Sequence, residues 1–260
     1  MTPNTPTPNT LTPNTVKPVA RLRASWLGAL TLLSLATTAL FALLIAPADS
    51  VQGDAARLLY LHVPAAWLAY LAFFVTAVAS ALYLWPRTRR SAWDQLAGAS
   101  AEVGVLCTGL TLFVGSVWGR PIWGTWWEWE ARLTTTAILF FLYVGYGALR
   151  RIGGPGSERR NAIAALIAFV DVPVVHFSVS WWTTLHQEGS VFNDRMEVQI
   201  DDPLMSLTLW LAVASFTLFY AWCCVLRMRL FELEAGRAER DLANAIEQRI
   251  ASRAVPMGTG

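Results

Sequence analysis

The sequence predicts an all-α integral membrane protein with six transmembrane helices and both termini in the cytoplasm. Three observations carry that reading. Of 260 residues, 55% are hydrophobic and only 15% charged, where a soluble domain carries about 25% charged residues. The charges are clustered: 24–48, 58–86, 103–119, 133–149 and 203–226 hold no Asp, Glu, Lys or Arg, and 161–187 holds only Asp171. The clusters are also sided, with Lys and Arg recurring at every second connection.

The elements follow in order. Residues 1–25 form a cytoplasmic tail whose first sixteen residues, rich in Thr, Pro and Asn, are of low complexity and expected to be disordered. They lack the charged and apolar regions of a cleavable signal peptide, so the first helix is expected to remain in the mature protein. A span needs about 20 mostly apolar residues. Six are expected, at 26–46, 59–85, 98–118, 133–149, 161–182 and 204–226, making 26–226 the membrane domain. Pro64 stands near the start of the second, where an early helical turn accepts it. The segment 227–260 mixes Arg and Glu with Leu, Ala and Ile at helical spacing, predicting a cytoplasmic helical tail that frays towards Pro256.

Orientation follows from the basic residues. Lys17, Arg21 and Arg23 precede the first span; Arg87, Arg89 and Arg90 follow the second. Arg150, Arg151, Arg159 and Arg160 separate the fourth and fifth, and Arg227 and Arg229 follow the sixth. All four groups share one side, which is cytoplasmic by this rule. They report topology and are no evidence for nucleic acid. The net charge of +2 says little about partners. Cys107, Cys223 and Cys224 have neither the spacing of a redox pair nor that of covalent haem attachment, and read as small apolar core residues.

Chemistry concentrates on the outer side. Trp118, Trp123, Trp126, Trp127 and Trp129 fall within twelve residues between the third and fourth spans. Indole is flat, apolar and carries one N–H donor, so a surface paved with it suits a large flat partner. Trp also anchors helices at membrane interfaces. Belt anchoring explains Trp26, Trp85, Trp93, Trp181 and Trp182. The run from 118 to 129 is denser than anchoring requires, and Gly119, Pro121 and Gly124 are expected to fold it into a platform.

His62 starts the second span and His186 follows the fifth, so both share the platform's face. His176 lies two to three turns deeper. Two neutral imidazoles beside a wall of indoles make a sensible haem site, because iron takes one imidazole from each side. Arg57, Arg120, Arg132 and Arg195 are available for the propionates, which the arginine fork can pair with both oxygens. Glu102 and Asp171 are intramembrane acids, functional candidates by default. A hydrogen-bonded contact between helices is the plainer reading, and Glu102 is near enough to reach the cytoplasmic headgroups.

WGRPIWGTWWEWEARLTT at 118–135 resembles the tryptophan-rich "WWD" signature of haem-handling membrane proteins in cytochrome c biogenesis. With YLHVPAAW around His62, VVHFSVSWWTTLHQ from Val174 to Gln187 and six spans, the resemblance is to the haem exporter protein C family, CcmC, over about Trp26 to Arg229. The larger CcmF and CcsA relatives share the Trp motif but have more spans. Glu130 stands where the signature usually has Asp, and Thr135 where Ser is common.

The resemblance implies that haem b is held at the periplasmic face of the bacterial inner membrane. His62 and His186 would be the axial ligands, and Trp118, Trp123, Trp126, Trp127, Trp129, Arg132 and Arg57 would surround the ring. It further implies presentation of the haem to the chaperone CcmE, beside the ABC-type subunits CcmA and CcmB and the small protein CcmD. No Walker A pattern occurs, so ATP hydrolysis would belong to a partner. The chain is thus expected to bind and deliver haem without catalytic turnover. A haem-permease subunit would need a polar path through the spans. A b-type cytochrome subunit would place haem ligands on both sides of the membrane.

Overall fold

The computed structural model describes the backbone of residues 18–154, 156–186, 200 and 202–254, and side chains from 26 to 250 within that set. The expected disordered segment 1–16, the end at Pro256 and Arg195 lie outside the described residues. The α-helices are α1 (Pro18–Leu40), α2 (Leu59–Leu84), α3 (Ser91–Trp123), α4 (Ala131–Ile152), α5 (Glu158–Phe169), α6 (Asp171–Trp181) and α7 (Pro203–Ala254), joined by short connections. The described residues form no strand beyond an isolated bridge between Asp49 and Gly53. Six helical stretches are long and apolar enough to cross a membrane, with α5 and α6 forming one of them.

Backbone hydrogen bonds cannot be left open in lipid, which is why apolar sequence of this length becomes helix. Packing then decides the arrangement. The most extensive contact is between α2 and α3, while α1 leans chiefly on α7. In the centre, Phe73 of α2 stacks on Tyr143 of α4 with ring centroids 3.7 Å apart. Ser100 Oγ lies 2.7 Å from both the Ala72 carbonyl and the Tyr220 hydroxyl, tying α3 to α2 and α7. Cys107 and Cys224 are buried and none of the three cysteines is bonded to another.

The arginine-rich end is closed by ion pairs. Arg150 of α4 grips Asp94 of α3 with two hydrogen bonds, at 2.7 and 2.8 Å. Arg227 of α7 donates to both oxygens of Glu102, at 2.5 and 3.0 Å. Glu102 is therefore paired across helices rather than reaching for headgroups.

The expected spans are modified in three places, and α3 also starts at Ser91, seven residues before the expected 98. The expected fifth span is broken at Val170 into α5 and α6. Pro173 is the cause: it has no N–H to offer the Phe169 carbonyl, and its ring crowds the preceding turn. α3 runs past its expected end at 118 to Trp123, so the first part of the Trp-rich segment is helix rather than loop. Gly124 ends it with φ +78°, a left-handed conformation suited to glycine, donating its N–H to the Arg120 carbonyl at 3.1 Å. The first span ends in a π-helical turn, Phe41–Ile45. The helical tail is observed as a direct continuation of α7, one helix of 52 residues.

Candidate functional site

At the end of the bundle opposite the ion pairs lies a cavity of about 770 Å³ lined by His62, Trp118, Trp123, Arg132, His176 and His186 among others. Helix α2 contributes His62, Ala66, Tyr70 and Phe74, four residues apart and so on one stripe. Twelve residues at 1.5 Å each carry that stripe about 18 Å inward from the rim.

His62 is positioned by packing and by the Thr111 backbone, with which it hydrogen-bonds, and not by a side-chain partner. Its ring meets Trp118 edge-on, centroids 5.7 Å apart. Behind it is Gly115 of α3: a Cβ there would lie 2.8 Å from His62 Cε1. His62 Nδ1 is buried and has no hydrogen-bond partner. Trp118 is itself fixed, its indole N–H donating to Gln52 Oε1 at 2.9 Å.

His186 follows α6 and is held differently. Glu130, 8% exposed, hydrogen-bonds His186 Nδ1 through Oε1. Its Oε2 accepts the Leu185 N–H at 2.7 Å. The imidazole edge meets Trp123 with centroids 4.8 Å apart. Burial pushes the His186 imidazole below its usual value, and the nearby Arg132 adds to this, against the upward pull of Glu130. The ring is therefore neutral at neutral pH, with a lone pair available.

Arg132 opens α4 but reaches inward, donating to the His176 carbonyl at 3.2 Å, while its Nε is buried without a partner. His176 also lines the cavity, its ring against Tyr70 and Phe177 at 6.0 and 4.9 Å. Asp171 Oδ2, nearby in sequence, is buried and unpartnered.

The structure divides the tryptophans. Trp118 and Trp123, on the end of α3, wall the cavity. Trp126, Trp127 and Trp129 lie on the extended segment beyond Gly124 and are not among the cavity-lining residues. Trp126 and Trp129 are 59% and 80% exposed. That segment is tied down by Ser116, which donates to the Trp126 carbonyl, and by Trp127 packing edge-on against Trp129. Arg120 lies over the Trp126 ring, 6.0 Å from its centroid, and donates to the Gly124 carbonyl.

Arg57 is also apart from the cavity. It bonds the Ala42 and Ala46 carbonyls, which the π-helical turn leaves open, and pairs with Asp54 at 2.8 Å. It joins the ends of α1 and α2. Sequence reasoning noted Glu130 only as the acid of the Trp-rich signature, without its partner, and did not find Gln52 or Gly115. Gly115 had a signal, since Gly115 and Gly119 form the small-xxx-small spacing of closely approaching membrane helices. Gln52 had none, because its partner is 66 residues away.

Fold and site together define a multi-pass helical membrane protein with a rim cavity walled by imidazole and indole, with one inward-reaching guanidinium. Comparison with known proteins agrees with that class. The family model described as "CcmC: Heme exporter protein C" matches residues 8–243. The Bradyrhizobium diazoefficiens protein named "Heme exporter protein C" is 39% identical over 207 residues, 78% of this chain and 76% of its own. The Escherichia coli (strain K12) protein of that name is 41% identical over 190 residues, 71% and 73% of the two chains. The Haemophilus influenzae one is 36% identical over 226 residues, 84% and 88%. The chain belongs to the haem exporter protein C family.

Proposed function

We propose that this protein binds haem b at the periplasmic face of the bacterial inner membrane and presents it to the chaperone CcmE during cytochrome c maturation. The observation that carries the reading is the shared cavity: His62 from α2 and His186 from beyond α6, far apart in sequence, line one space with Trp118, Trp123 and Arg132. Its volume of about 770 Å³ is within the roughly 300–1,000 Å³ usual for small-molecule sites.

The chemistry of these groups fits haem. Bound haem supplies an iron with two axial positions, and neutral imidazoles are its ordinary ligands. Indole edges and the Gly115 floor leave flat apolar room. Arg132, with a buried Nε that has no partner, offers the cation for a propionate. We assign that pairing to Arg132 rather than to Arg57, whose guanidinium already serves three oxygens. Trp126 and Trp129, exposed beside the rim, form the surface offered to the chaperone. We infer a role in binding and delivery, with no turnover of its own. CcmA, CcmB and CcmD are the partners the family resemblance implies, and ATP hydrolysis belongs to them. The proposed organisation keeps a cytoplasmic tail at 1–25, a membrane domain at 26–226 and a cytoplasmic extension at 227–260.

The test is an absorption spectrum of the purified protein. The parent should show the bands of six-coordinate haem with two histidine ligands. His62→Ala or His186→Ala should weaken retention and move the Soret and α bands, and His176→Ala should do less. Arg132→Ala should lower occupancy, with Arg132→Lys restoring only part for want of the fork. Unchanged bands in the His62/His186 double variant would sink the assignment. Reporters after Gly260 and near Asp194 test orientation: only the first should be active in the cytoplasm.

A further inference from the structure

The two histidines are not equivalent. Glu130 holds His186 Nδ1, while the buried His62 Nδ1 has no partner. A carboxylate only accepts, so the contact places the proton on His186 Nδ1 and leaves the Nε2 lone pair for a ligand. The other carboxylate oxygen holds the Leu185 N–H at 2.7 Å. Backbone and ring of the segment after α6 are thus fixed by one side chain from the start of α4. No carboxylate stands behind His62: its ring is set by Trp118, the Gly115 floor and the Thr111 backbone, a neutral partner.

We propose that Glu130 is a positioning residue for His186, and that it makes the two axial bonds to haem unequal: His186 is the retained ligand, and His62 the one that yields when haem leaves. This rests on the haem reading above. The physical basis is general. A carboxylate behind a metal-bound imidazole fixes the ring's orientation and raises its basicity, and losing such a partner costs roughly 10–100-fold in metal affinity. A more basic imidazole favours ferric over ferrous iron. A delivery protein has a use for this asymmetry. One firm bond keeps the haem in place while the other axial site opens to an incoming ligand.

Glu130→Gln tests the role, because the amide keeps the volume and can still accept from Nδ1 but is no longer anionic. The parent should show six-coordinate haem. Glu130→Gln should weaken retention roughly 10–100-fold and raise the midpoint potential. A tenfold preferential loss of ferric haem corresponds to about 59 mV for one electron. A double-mutant cycle separates positioning from mere folding. The Glu130→Gln loss should persist in full in a His62→Ala background and vanish in a His186→Ala background. His186→Ala should also lose haem more readily than His62→Ala. A structural role for Glu130 would instead lower retention in both backgrounds and leave the potential unmoved, overturning the proposal. If His62→Ala loses haem as readily as His186→Ala, the inequality is wrong. Absence of a six-coordinate spectrum in the parent would count against the haem reading itself, which keeps the two failures distinct. Thermal unfolding of the haem-free variants confirms that each is folded.

Discussion

Gly115→Ala is the sharpest perturbation this cavity offers, because its effects on helix and ligand have opposite signs. An alanine Cβ would stand 2.8 Å from His62 Cε1 and 3.3 Å from Nδ1, where ordinary contact begins at 3.4 Å. The imidazole must therefore retreat by about 0.6 Å, beyond the roughly 0.5 Å within which a site geometry must be held. The iron bond should suffer, with a fall in haem affinity of the order seen for lost supporting partners, roughly 10–100-fold, and bands shifted away from the six-coordinate form. The helix itself gains. Alanine is favoured over glycine in a helix interior by about 1 kcal/mol, which offsets the cost of moving one ring. The haem-free variant should then unfold close to the parent temperature. The assay is a haem titration of the detergent-purified protein followed at the Soret band, with thermal unfolding of the haem-free form alongside. Parental affinity and spectrum in Gly115→Ala would refute the claim that His62 must occupy its present place.

Three further outcomes are expected. Trp126→Ala and Trp129→Ala should retain haem yet load less of it covalently onto CcmE, and Phe should do less harm than Ala; equal loading by all would reduce these indoles to a membrane belt. Haem retention should hold as pH falls through 6.5 and decline only below it. The folded His186 imidazole is pushed below its usual value, so its neutral form persists past the point where a free imidazole is protonated. By the same linkage the haem-free fold loses stability only as pH drops below the unfolded value of about 6.5. A midpoint of haem loss above pH 6.5 would contradict this. Asp94→Ala should destabilise by about 3–5 kcal/mol, because it strands the largely buried Arg150 guanidinium. Unfolding of the haem-free protein measures it, and a parental midpoint would show the pair to be dispensable.

Much of the fold was legible because lipid imposes one rule on every span. Charge-free length marked the six spans; α2, which bears His62, begins where expected at 59, and α6, which precedes His186, ends at Trp181 beside the expected 182. What sequence could not supply depends on distance in the chain. Glu130 meets His186 across 56 residues, and Trp118 meets Gln52 across 66. Neither pairing leaves a local periodicity. The Trp run was read as one platform because its residues are contiguous. A helix end at Gly124 separates them, placing Trp118 and Trp123 on the cavity wall and the rest outside it.

The break at Val170 shows how a local defect serves a distant group. Pro173 deprives the Phe169 carbonyl of its donor, and α6 sets off afresh as a separate eleven-residue helix. On that short helix the His176 carbonyl takes a hydrogen bond from the Arg132 guanidinium. That draws a rim arginine inward, into the cavity wall, instead of out towards the headgroups where a long basic side chain ordinarily snorkels. A buried guanidinium with a free Nε is costly unless an anion joins it. The position of that unpaired N–H, beside the two imidazoles and the indoles of α3, is the strongest reason to expect the propionate at Arg132. It also explains why Arg57, whose guanidinium serves three oxygens at the α1–α2 junction, holds the frame of the site rather than its ligand.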